Sequence, residues 1–314
     1  MTGTPRRRSG YLYRTTRKIN WILRRGSLFR TAKVRATGPR KDRTIPGSTF
    51  ALIAINSTFF FLLAYVLVYL IYALSVAVAA SAFSIPTIVE INDISFMIKG
   101  VGWSSDAVKV VYSAGPLVAL VCGIILVILA NITVEENSIL RLLLIWMFAH
   151  TMVFFFGEVM MGSLFSRGFG YVMMYLSAKD TVMMVVTVFA LVGIAAAGFR
   201  SAHLFATTGN SYFNELPKYY LRRFLVFQFL IPCLAGNVII FLLKLPFISY
   251  YDTGLTFTML ILLIPVLIEA SRMDNFFYDE DPKRIRLYPV WILIAAAVLV
   301  LFRIVLGNGL RLFF

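Results

Sequence analysis

The sequence predicts an all-α polytopic integral membrane protein of about seven transmembrane helices, with a cytoplasmic N terminus and a basic amphipathic N-terminal arm. Three observations carry that expectation. Hydrophobic residues make up 60% of the chain and charged residues only 14%, with a mean hydropathy of +0.82, far outside the range of a soluble domain of this length. Long apolar runs occupy most of the chain after residue 50, most of them near the ~20 residues that cross a hydrocarbon core. Finally, fourteen of the 30 Lys and Arg residues precede Thr44, against the single acid Asp42. Such a block cannot build a packed core and must lie on something negative.

The domain division is therefore a basic cytoplasmic arm, residues 1–47, and a helical membrane domain, residues 48–314. In the arm, Leu12, Thr16, Ile19, Ile22 and Leu23 recur near helical spacing. Arg6, Arg7 and Arg8 precede them, and Arg14, Arg17, Lys18, Arg24 and Arg25 occupy other faces, with Trp21 among them. This pattern reads as an interfacial amphipathic helix on anionic lipid headgroups, at about 1 kcal/mol for each basic residue held near the surface. An acidic partner subunit, ribosomal RNA, and a role as an organellar targeting peptide are the competing readings. The acidic stretch Asp274, Asp279, Glu280, Asp281 is a further docking place for the arm within the same chain.

The first span is expected from about Phe50 to Leu74, after the turn signal Ile45-Pro46-Gly47-Ser48, with its apolar run continuing to Ala82. That excess implies tilt or a helix protruding beyond the bilayer. From Phe83 to Gly115, the residues Pro86, Glu90, Asn92, Asp93, Lys99 and Asp106 are scattered among β-branched ones. The segment reads as an ordered exterior loop, about 83–115, with a short hairpin around Gly100 to Trp103. Further spans follow at about Pro116 to Ile132, Leu140 to Phe165, Thr181 to Ala197, Phe224 to Ile248, Leu255 to Ala270 and Val290 to Leu310. With the N terminus inside, one side carries the arm, Arg141, the cluster Arg200, Lys218, Arg222, Arg223 and the cluster Arg272, Lys283, Arg284, Arg286. The other has only Lys99, Lys109, Arg167, Lys179 and Arg311. The predicted location is a bacterial inner membrane, or an organellar counterpart, with the C terminus outside. Cys122 and Cys233 fall inside apolar runs and read as small hydrophobes.

Charge within hydrocarbon is costly unless it finds a partner, so intramembrane polar residues are the candidate site: His150, Glu158, Arg303, Asn237 and Lys244. His150, Phe154, Gly157 and Glu158 share one helix face, and Arg303 on the last span lies at a depth similar to that of Glu158. The expectations are a Glu158–Arg303 pair, an Asn237–His150 hydrogen bond and a snorkelling Lys244. The cluster reads either as a polar clamp that fixes packing or as a proton-sensitive path. Pro232 and Pro265, in the similar segments Leu230-Ile231-Pro232 and Leu263-Ile264-Pro265, are expected to kink two neighbouring spans.

Enzyme templates mostly fail. One intramembrane histidine cannot supply a bis-His haem site, and no P-loop, zinc-binding His pair or nucleophile elbow is present. The segment Trp146-Met147-Phe148-Ala149-His150, together with Leu243-Lys244-Leu245-Pro246 and the following Asp252-Thr253-Gly254, resembles the two motifs of M50-type (site-2-protease-like) intramembrane metalloproteases. That resemblance covers about a third of the chain and implies a shared helical scaffold. Trp146 and Met147 stand where the first ligand and general base belong, so it implies an inactive relative with neither metal nor cofactor.

Three function classes follow. The first is a non-enzymatic subunit or scaffold of a larger membrane assembly, with protein partners. The second is a transporter or channel built on His150, Glu158 and Arg303. The third is an inactive protease-like protein that holds membrane segments.

Overall fold

The computed structural model describes residues 46–98, 102–132, 138–246, 248–270, 272–273, 276–277 and 285–312. The expected arm helix, its nine candidate residues, Lys99, Gly100 and the acidic stretch 274–281 with its flanking bases Lys283 and Arg284 lie outside them, Phe276 and Phe277 excepted.

Among the described residues seven helices are long and apolar enough to cross a bilayer: α1 (Gly47–Ser81), α2 (Ser105–Ile132), α3 (Ile139–Phe165), α5 (Asp180–Ser211), α6 (Lys218–Lys244), α7 (Tyr250–Ala270) and α8 (Pro289–Gly307). A shorter helix, α4 (Phe169–Tyr175), sits between α3 and α5. The chain is thus an all-α polytopic membrane protein. α1 is 35 residues long, about 50 Å of helix against the ~30 Å of a hydrocarbon core, so the excess length read from its apolar run is present.

Burial separates centre from rim. α1 and α3 bury 61% and 67% of their apolar stretches inside the protein, whereas α5 and α8 bury 22% and 17%. α1 is apolar all round: α2, α3, α6 and α8 pack against most of it, and Leu70, Leu74 and Val78 remain exposed as lipid-facing residues are. The peripheral helices instead present residues such as Phe189 outward, 77% exposed, as a lipid-facing surface does.

Two expected boundaries move. α2 begins at Ser105, so the expected loop loses residues 105–115 to the helix: Asp106, Lys109 and Ser113 sit on its first turns rather than in a connection. α5 continues past Ala197 to Ser211, which places His203 on a helix and not in a loop. The hairpin also moves. β1 (Thr87–Val89) and β2 (Ile94–Phe96) pair antiparallel around residues 90–93. A third strand, β5 (Leu310–Leu312), pairs antiparallel with the other edge of β1 and gives the order β2-β1-β5. α1 and α8 therefore emerge at one end of the bundle, termed here the sheet end. At the opposite end β3 (Glu215–Leu216) pairs with β4 (Phe276–Phe277).

Two π-helical turns interrupt the bundle, Val153–Gly157 in α3 and Val226–Leu230 in α6. The second ends just before Pro232, whose ring and missing N–H disturb an α-helical ladder, and the wide turn accommodates that disturbance. Its Gln228 carbonyl accepts the Ser57 hydroxyl at 2.5 Å, and Ser57 accepts the Trp146 indole N–H at 2.9 Å, joining α1, α3 and α6 through a buried polar contact. Close approach of backbones does the rest. A Cβ on Gly198 would lie 2.3 Å from the Leu262 carbonyl, and one on Gly170 2.0 Å from that of Gly162, so α5 meets α7 and α4 meets α3 at glycine.

Candidate functional site

At the sheet end α1, α2, α3, α6, α7 and the β-hairpin enclose a cavity of about 580 Å3, within the range of small-molecule sites. His150, Glu158, Asn237 and Lys244 all line it. The π turn between His150 and Glu158 shifts the register of α3, and both side chains still reach the same space.

Glu158, 6% exposed, accepts a hydrogen bond from the Tyr251 hydroxyl, and Tyr72 also presents its hydroxyl to the carboxylate. Among the described residues no Lys or Arg pairs with it. Gly168 gives the site room. At φ +51° it holds a backbone shape that L side chains rarely adopt, and a Cβ there would lie 2.9 Å from Glu158 Oε2 and 3.0 Å from the Tyr251 hydroxyl.

The expected partner of Glu158 is elsewhere. Arg303 donates to the carbonyl of Leu243 at 2.5 Å and to that of Leu245 at 3.1 Å. Those are carbonyls that the end of α6 leaves without helical partners, and a guanidinium satisfies two of them at once. Equal depth along two helices does not fix which way each side chain faces.

Lys244 does not snorkel. It is 8% exposed and its Nζ lies 2.7 Å from Asp252 Oδ1. Asp252 is positioned by a reciprocal cap: Ser249, just before α7, donates its backbone N–H (3.3 Å) and hydroxyl (2.7 Å) to Asp252 Oδ2, and its hydroxyl oxygen accepts the Asp252 N–H at 3.1 Å. Both carboxylate oxygens are therefore occupied by the protein itself. The Tyr65 hydroxyl also reaches Lys244.

His150 is a buried, packed ring. Its Nε2 lies 3.2 Å from the Phe61 carbonyl, which can only accept, so Nε2 carries the proton. Phe61 and Tyr65 flank the ring at 4.6 and 5.6 Å. Asn237 donates to Cys233 Sγ at 3.4 Å rather than to His150.

Sequence reasoning passed over the aromatic wall. Tyr65, Tyr69 and Tyr72 recur at i, i+4 and i+7 on α1, a spacing that places them on one face, and all three line the cavity. Phe154 packs against them with centroid distances of 6.3, 6.3 and 5.1 Å. Toward the mouth Phe96, Trp103, Tyr112 and Tyr171 form a chain of ring contacts at 5.2, 5.6 and 5.1 Å. Asp93 stands at that mouth, with part of its side chain open to solvent. Partial burial raises its carboxyl above the usual carboxylate range, against the Ile94 N–H and the Arg167 charge that pull it down.

No family model matches the chain, and neither a characterised protein nor a solved structure does. Asp252, which the protease resemblance would make a metal ligand, is held by Lys244 and Ser249. Among the described residues no group of three or more His, Cys, Asp or Glu side chains is placed to hold a metal ion.

Proposed function

We propose that this chain is a solute-binding membrane protein of the transporter class, with the sheet-end cavity as its binding site. The observation that carries the reading is the cavity itself: about 580 Å3 lined by aromatic rings, a buried carboxylate and a separate buried ion pair. A space of that size with a few convergent polar groups in an apolar wall is the usual form of a small-molecule site. Buried charge between membrane helices is costly to keep without a use. The roles of the expected residues change accordingly. Glu158 is the ligand-facing charge, Lys244 and Asp252 form the wall, His150 anchors α3 to α1, and Arg303 ends α6. The excess of Lys and Arg before Thr44 supports a cytoplasmic N terminus, which directs the mouth beside Asp93 to the outer face of a bacterial inner membrane.

The test is a thermal-shift screen of the full chain in nanodiscs against amines, amino acids, sugars and carboxylates, followed by uptake of any hit into proteoliposomes. Binding to the folded state raises the melting temperature by mass action. At least one class is expected to do so. A folded protein that responds to none of them would defeat the reading.

A second reading, as a subunit of a membrane assembly, rests on the basic arm, residues 1–47. It expects stoichiometric protein partners that are retained by the full chain in mild detergent and lost when residues 1–43 are removed. Partners retained equally by both forms would rule the arm out as their docking element.

A further inference from the structure

We infer that the ligand of the sheet-end cavity is an organic ammonium ion, with its charge against Glu158 and its alkyl groups against the rings of Phe154, Tyr65 and Tyr72. The inference rests on the cavity being a solute site and adds the class of solute.

Charge within the cavity points to a cation. Its wall carries the acids Asp93, Glu158 and Asp252 and the bases Arg167 and Lys244. Lys244 and Asp252 neutralise each other at 2.7 Å, and Ser249 occupies the remaining carboxylate oxygen. Arg167 lies exposed at the rim, in the field of Asp93. Among the described residues Glu158 is left as a deep carboxylate supported by hydroxyl groups alone. A carboxylate taken out of water without a counter-charge is strongly disfavoured, and a cationic guest supplies what the wall lacks. A carboxylate or phosphate guest would meet Glu158 and find no free deep cation, and an amino acid would satisfy only its amino end.

The lining points to an alkylated or aryl-substituted ammonium rather than a bare metal ion. One turn before Glu158 stands Phe154, with Tyr65, Tyr69 and Tyr72 packed at 6.3, 6.3 and 5.1 Å. Ring faces attract an ammonium through their quadrupole and accept its methyl groups as apolar surface. Gly168 keeps the approach to the carboxylate open, since a Cβ there would sit 2.9 Å from Glu158 Oε2.

The decisive experiment is calorimetric titration of the full chain in nanodiscs with three probes of similar size: benzyltrimethylammonium, 4-tert-butylbenzyl alcohol and 4-tert-butylbenzoate. The expected result is that the ammonium binds at least about tenfold more tightly than the other two, a ratio that corresponds to roughly 1.4 kcal/mol. Glu158→Gln should lower ammonium affinity by about tenfold or more while leaving the alcohol unchanged. Phe154→Leu should weaken the ammonium severalfold more than the alcohol, which keeps the test open if Glu158→Gln fails to fold. Equal or tighter binding of the alcohol or the benzoate would overturn the ammonium class and leave the solute site standing. Ammonium binding unaffected by either substitution would overturn the placement. If no probe binds and the broader screen is also silent, the solute-site reading falls together with this one.

Discussion

Removing one member of the Lys244–Asp252 pair should be far more damaging than removing both. The side chains are each 10% exposed and 2.7 Å apart, so neither charge is effectively solvated in the folded state. Asp252→Asn leaves an ammonium beside Tyr65 with no counter-charge. Breaking a pair buried to this degree by deleting one partner destabilises by about 3–5 kcal/mol, against about 0–1 kcal/mol for an exposed pair. Asparagine preserves the side-chain shape and can still accept from Ser249, so the loss reports charge and not the helix cap. In the Lys244→Met, Asp252→Asn double variant the uncompensated ammonium is gone, and its stability should return to within about 1–2 kcal/mol of the parent. The assay is equilibrium unfolding in mixed detergent and SDS micelles, with the four proteins of the cycle measured in one lipid composition. A coupling of less than about 0.5 kcal/mol, the range expected of independent sites, would refute the claim that the cavity wall is held by this pair. So would a single variant within about 1 kcal/mol of the parent.

Three further outcomes follow from the same geometry. Gly198→Ala should destabilise by about 1–3 kcal/mol, because its new Cβ meets the Leu262 carbonyl at 2.3 Å and α7 must move away from α5; the same unfolding assay checks this. Arg303→Met should destabilise by about 1–3 kcal/mol through the freed carbonyls of Leu243 and Leu245, with Arg303→Lys recovering part of the loss. Asp93, raised in the folded protein, favours folding most below the ordinary Asp value of about 3.9, and that contribution disappears as pH rises through its raised value. Asp93→Asn should therefore leave stability at low pH unchanged and increase it slightly at neutral pH, an effect kept small by solvent at the cavity mouth and read from melting temperature against pH.

The seven spans were legible because hydrocarbon thickness imposes a length on each apolar run, and a run of that length is hard to mistake. Their ends were less so. Ser105 to Gly115 carries Asp106, Lys109 and Ser113, polar enough to read as loop, yet a helix that extends past the hydrocarbon holds such residues comfortably on its exposed turns. Depth along a span could be counted, and it brought Glu158 and Arg303 level with one another. Facing could not, since it depends on how each helix is rotated by its neighbours and on a π turn that nothing in Val153–Gly157 announces. Lys244 and Asp252 escaped pairing because they lie on separate spans joined by a short turn, although Ser249-x-x-Asp252 carries the spacing of a capping box. The tyrosine face at 65, 69 and 72 was present in the spacing of α1. An uncharged aromatic stripe on an apolar helix reads as ordinary packing, and only the neighbouring helices show that it faces a cavity.

The ladder between β1 and β5 has a consequence for how this protein is made. β1 follows the first span and β5 follows the seventh, so a growing chain holds one edge of β1 unpaired until residues 310–312 have been made. The three-stranded sheet beside the cavity is thus completed only after the seven described spans have been made. A chain cut before residue 310 would carry all seven described helices and still display an open strand edge beside the cavity, the kind of edge that templates pairing with another chain.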